Sequence, residues 1–200
     1  TGLATADEDN FWGSMATDQP SSFRASRSSI NSASGRTAVW AEANTREGIF
    51  EAMKRREVYA TTGPRIVVRF FGGWNFDGQD HLSSDIADLG YRKGVPMGGE
   101  LFRQTHKNPP SFLVAAMKEP AGANLDRIQI VKGWANEDGM TNERVYDVVW
   151  SGHRERGSDG KLPMIESTVD VLSAEYFNSV GSPALQVTWV DPDFDPLKAS

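Results

Sequence analysis

Cysteine is absent from all 200 residues. Disulfides, thiol nucleophiles and zinc-thiolate sites are therefore excluded. Histidine is nearly absent, with three copies, His81, His106 and His153. Each lies in a polar, turn-like context without a second histidine or carboxylate at a useful offset, so surface positions are the simplest reading. No apolar run approaches the ~18 residues that span a bilayer. The first ten residues are acidic and lack the apolar stretch of a secretory signal. Excess positive charge is also missing. The net charge is -6 and the pI about 5.1. Phosphate neutralisation needs a basic face, so nucleic acid is not an expected partner.

What is present reads as a globular composition, 38% hydrophobic and 24% charged. Residues 1–38 are rich in serine, alanine and threonine and read as a surface arm, with Phe11 and Trp12 as its bulky anchor. Asn44 is placed to cap a helix, and Glu47 follows three residues later, as in a capping box. The helix is expected from Thr45 to Arg56. Ile49, Phe50 and Met53 form an apolar stripe along it, with Ala52 alongside. Lys54, Arg55 and Arg56 close it, where cations complement the helix dipole.

Beyond Gly63-Pro64 the periodicity changes from helical to alternating. Strands are predicted at 58–62, 65–71, 111–117, 127–132, 144–150, 165–172 and 184–190. A short helix is predicted at 173–178. This spacing of short strands predicts an α+β chain, mostly an antiparallel β-sandwich with an N-terminal α/β segment. The expected division is an arm and helix-strand tail over 1–63, then a sandwich-like domain over 64–200. Its predicted core is Phe70, Leu113, Ile128, Ile130, Val148, Val169, Val171, Val187 and Trp189.

Several residue sets invite a chemical reading. Asp191, Asp193 and Asp195 alternate in the manner of calcium loops, but two prolines stiffen the run and the Gly and Glu of an EF-hand loop are missing. A turn with local caps competes with a weak metal site there. Arg65 begins a strand after Gly63-Pro64. It could steady a phosphate, or it could pair with Glu57 or Asp170. The glycines between Gly94 and Gly99 lack the Lys-Ser/Thr of a phosphate loop, and no Gly-x-Ser-x-Gly elbow occurs. The tryptophans Trp40, Trp134, Trp150 and Trp189 sit in or beside apolar segments, which favours packing over sugar stacking.

Long motifs point to one family. They include Glu8-Asp9-Asn10-Phe11-Trp12-Gly13, Val39-Trp40-Ala41-Glu42, Tyr59-Ala60-Thr61-Thr62-Gly63-Pro64-Arg65-Ile66 and Phe70-Phe71-Gly72-Gly73-Trp74. Gly94-Val95-Pro96-Met97-Gly98-Gly99, Asp126-Arg127-Ile128-Gln129-Ile130-Val131-Lys132-Gly133-Trp134 and Asp191-Pro192-Asp193-Phe194-Asp195-Pro196 continue the match. The chain resembles the family catalogued as domain of unknown function 3604, over nearly its whole length. That family is similar to the polymerase and histidinol phosphatase superfamily of barrel-shaped, metal-dependent phosphoester hydrolases. The resemblance implies that this chain is a C-terminal portion, with an Asp-x-His ligand motif just before Thr1 and other ligands farther upstream. It implies a divalent metal for the whole protein and none held by this part alone. Asp7, Glu8 and Asp9 would then be second-shell or substrate-facing groups, with a solvated acidic loop as the simpler reading. The upstream part of the same polypeptide is the expected partner. A homodimer is expected where the Ile49–Phe50–Met53 stripe lacks cover, unless the helix folds back on the β-domain. The implied source is bacterial, and cytoplasm and periplasm both remain open.

Overall fold

A computed structural model describes residues 35–102, 108–136 and 138–195. Asp7, Glu8, Asp9 and His106 lie outside them. The described residues are mostly strands, with two short helices and several antiparallel sheets, none closed into a barrel.

Strand β1 (Arg36–Val39) pairs antiparallel with β2 (Val58–Thr61), and helix α1 (Arg46–Lys54) connects them. The helix starts at Arg46, one residue later than expected, and Thr45 rather than Asn44 caps it. The Thr45 hydroxyl accepts from the Gly48 amide at 3.1 Å, so the cap is a single side-chain bond without the reciprocal glutamate of a capping box. The helix ends where Arg56 enters the left-handed region, at φ 62°.

Strands β3 (Val67–Gly73), β4 (Gly94–Pro96), β5 (Ser111–Met117) and β10 (Ala184–Val190) form one sheet in the order β10-β5-β3-β4. Register partners share a face, so the sheet's two sides can be read directly. Phe71 lies opposite Leu113, and both are fully buried. Phe76 completes this cluster, with Ile86 and Leu89 packed on it. Those two belong to helix α2 (Ile86–Lys93), for which no helix was expected. Only eight residues long and marked by one Asp85 cap, α2 carries too little periodicity to stand out. Gly90 lets it settle on the sheet, because a Cβ there would lie 2.5 Å from the Phe71 ring.

On the sheet's other side Phe70 stacks on Phe112 at 5.5 Å, and Phe112 meets Trp189 at 5.8 Å. A long hairpin, β6 (Arg127–Ala135) with β7 (Thr141–Trp150), approaches this side through Tyr146, 5.0 Å from Trp189. Of the expected core, Leu113 is buried, while Phe70, Ile128, Ile130, Val148, Val187 and Trp189 are half-buried.

Four expectations need correction. Val169 and Val171 are exposed rather than core. The strand expected over 165–172 shrinks to β8 (Val169–Asp170), paired with β9 (Glu175–Tyr176). The helix expected over 173–178 is instead this turn and strand. Asp170 accepts from the Leu172 and Ser173 amides, which fixes a tight turn and outcompetes a helix start. Finally, α1 does not fold its apolar stripe back over the β-strands. Phe50 is 62% and Met53 53% exposed, and Ala52 is the residue that α1 buries.

Candidate functional site

The acidic run Asp191–Asp195 sits beside the β6–β7 hairpin. Lys132 and Arg144 face each other across the two hairpin strands. Two like charges directly opposite one another are unfavourable, so this pair needs anions. Asp191 and Asp193 supply them. Lys132 Nζ donates to Asp191 Oδ2 at 2.6 Å and to the Asp193 carbonyl at 3.0 Å. Arg144 lies 2.7 Å from Asp193 Oδ2. Tyr146, two residues along the same face, donates its hydroxyl to Asp193 Oδ2 at 2.6 Å. The Asp193 amide donates back to Asp191 Oδ1 at 3.0 Å, which makes the local cap that the aspartate spacing allowed.

Asp191 is 4% exposed, so its charge depends on the Lys132 contact. Burial, followed by the hydrogen bond to Asp193, pushes the Tyr146 hydroxyl up to about 12. Tyr146 therefore stays protonated at neutral pH and acts as a donor, not a base or nucleophile. The like charges of Asp191 and Asp193 are answered by Lys132 and Arg144. Asp195 is also engaged in an interaction.

Two more buried carboxylates follow the same pattern. Glu57, 3% exposed, receives the Tyr91 hydroxyl and lies 3.6 Å from both Arg69 and Arg55. Arg69 stacks over the Trp40 ring at 3.3 Å, and the Trp40 indole donates to the Val68 carbonyl at 3.0 Å. These contacts tie the β1–α1–β2 unit to β3. Burial first, then the Glu57 hydrogen bond, raises the Tyr91 hydroxyl, against the opposing effect of Arg69. Asp80, buried beneath α2, takes Lys93 Nζ on both oxygens at 2.8 and 2.7 Å. That hydrogen bond is the main cause holding the Lys93 ammonium above its ordinary value. At the far end of the hairpin Asp126 pairs with Arg127 and Arg154, and Asp147 pairs with Arg127.

The family described as protein of unknown function (DUF3604) matches the chain over residues 1–200. The chain belongs to this family. No curated protein and no solved structure matches it.

Among the described residues, the DUF3604 chain brings Asp191 and Asp193 together but not Arg65, His81 or His153 with them. Arg65 is exposed and meets neither Glu57 nor Asp170, whose partners lie elsewhere. His153 is exposed in a turn. His81 is half-buried; its amide donates to Thr188 at 3.2 Å and its Nδ1 has no partner. Among the described residues no three histidine or carboxylate side chains converge. With the buried carboxylates already held by lysine and arginine, these residues do not fit a metal cluster. Also among them, no helix is long and apolar enough to cross a membrane.

Sequence reasoning missed Lys132, Tyr146, Arg69 and Lys93, the partners that give the carboxylates their roles. Lys132 and Arg144 become a pair only once the strand register is known, and nothing local marks them.

Proposed function

We propose that this chain is the C-terminal, non-catalytic portion of a metal-dependent hydrolase acting on phosphoesters. In this reading the metal-bearing residues are carried on the upstream part of the same polypeptide, which is its first partner. The resemblance of DUF3604 motifs to the polymerase and histidinol phosphatase superfamily motivates the hydrolase half. One observation supports the non-catalytic half: Glu57, Asp80 and Asp191, the buried carboxylates, are each neutralised by cations of this chain. A carboxylate so held braces the fold and is not free to ligate a metal or accept a substrate proton. The α2 layer, the four-stranded sheet and the hairpin against it then make a small sandwich-like support. Arg65, exposed two residues before β3 and without an ion pair among the described residues, remains the best substrate-facing candidate, with Asp7, Glu8 and Asp9.

The longer polypeptide tests the hydrolase half. It should bind divalent metal, and chelation should abolish hydrolysis of a generic phosphomonoester. A longer polypeptide that stays metal-free and inactive under varied metal loading would instead favour a structural or interaction module, the second reading that these ion-paired carboxylates accommodate.

A further inference from the structure

The turn that leaves β5 is built around one ammonium. Glu119-Pro120-Ala121-Gly122 has proline second and glycine fourth, as a type I turn favours, and the Gly122 amide donates to the Glu119 carbonyl at 2.9 Å. Lys118 stands directly before it. Its amide donates to the Pro183 carbonyl at 2.9 Å, which fixes the residue against the chain entering β10. Its Nζ folds back into the turn. There it donates to the carbonyls of Glu119 at 3.3 Å, Pro120 at 3.0 Å and Gly122 at 2.7 Å. An ammonium has three donors, and a backbone carbonyl takes each. Lys93 and Lys132 answer buried carboxylates. Lys118 instead has carbonyls alone as partners among the described residues. Three carbonyl dipoles aimed at one point repel one another, so their convergence depends on the cation between them.

The β8–β9 hairpin hangs on the same turn. Its strands, Val169–Asp170 and Glu175–Tyr176, are two residues each, too short to persist alone in water. The Tyr176 hydroxyl donates to the Ala121 carbonyl at 3.3 Å. Asn178 Nδ2 donates at 3.0 Å to the Gly122 carbonyl, the same oxygen that Lys118 holds. Asn124, two residues farther on, donates its amide to Asn178 Oδ1 at 2.9 Å and its side chain to the Asn178 and Val180 carbonyls. The hairpin carries Val171 and Leu172, both highly exposed, so the turn sets where these side chains stand.

We propose that Lys118 is an internal cation latch: its ammonium fills a nest of backbone carbonyls, and the filled nest holds the β8–β9 hairpin in place. Backbone carbonyls can replace the hydration shell of a monovalent cation, and here the chain supplies its own. Lys118 is thus a positioning residue for the hairpin. The assignment is independent of the hydrolase reading.

Hydrogen exchange read by mass spectrometry on the 200-residue chain tests it. Lys118→Met keeps an unbranched stem and removes the charge and the donors. Amides of residues 119–124 and 168–180 are expected to lose about tenfold in protection, as the loss of a charged donor implies, while those of β3 and β5 keep theirs. Lys118→Ala empties the nest and should show the same local loss. Ammonium chloride should then restore protection over 168–180. Tetramethylammonium chloride at the same ionic strength should not, because its cation is larger and has no N–H to donate. Wild-type protection over 168–180 in Lys118→Met would overturn the latch. So would a loss spread evenly over the sheet strands, or ammonium that restores no more than tetramethylammonium does.

Discussion

At the residue scale, buried carboxylates organise this molecule. Removing one partner of a buried pair leaves the other charge stranded, at a cost of ~3–5 kcal/mol. Asp191→Ala is therefore expected to lower stability by about that amount, because Lys132 is itself 14% exposed and has no other carboxylate as close. Urea unfolding measures it. Adding Lys132→Met should return much of the loss, since no buried charge then remains; a loss equal to or larger than that of the single variant would show that Asp191 acts by other means. Tyr146 sets an alkaline dependence. Its pKa is raised from an unfolded value of about 10 to about 12. The folded state therefore keeps the proton longer than the unfolded state. The stability tied to it is complete below about pH 10 and is lost as pH rises through about 12. Thermal melts should fall across that window, and Tyr146→Phe should flatten its share of the fall. Equal slopes for both proteins would refute the Tyr146 contribution.

At the element scale, fit between helix and sheet matters most. Gly90→Ala would drive a methyl into the Phe71 ring, where a Cβ finds 2.5 Å. Overpacking of this kind costs ~1–3 kcal/mol, and a denaturant melt as stable as wild type would show that α2 shifts freely. Gly98 has a different constraint: its φ is +80°, and a Cβ would press on the Arg56 carbonyl at 2.2 Å. The strong strands were legible in sequence. Ser111–Met117 and Ala184–Val190 form as expected, the first from a nearly continuous apolar run and the second from the alternation of Leu185, Val187 and Trp189. The α1 helix was legible from its stripe, within about two residues at each end. What sequence misread were segments where local side-chain bonds decide. Asp170 turns a predicted strand into a tight corner, and Thr45 rather than Asn44 caps α1. Phe71 rather than Phe70 enters the most buried cluster, because register alone chooses the face.

At the scale of the whole molecule, three ion-paired anchors hold separate parts together. The Glu57 group joins the α1 unit to β3, the Asp80–Lys93 pair braces α2, and the Asp191–Lys132 pair joins β10 to the hairpin. The candidate site was legible only in its acidic half. The Asp191–Asp195 spacing is visible in sequence, but the cations that occupy it come from a hairpin about 50 residues away, roughly the separation at which local pattern carries no information. A chain braced in this way is expected to be a support and not a catalyst. Turnover of a phosphomonoester by the isolated 200-residue chain, with magnesium, manganese or zinc supplied in turn, tests that most directly. The account predicts no hydrolysis above the metal-only background at any loading. Metal-dependent turnover that disappears in His81→Ala, His106→Ala or His153→Ala would contradict it.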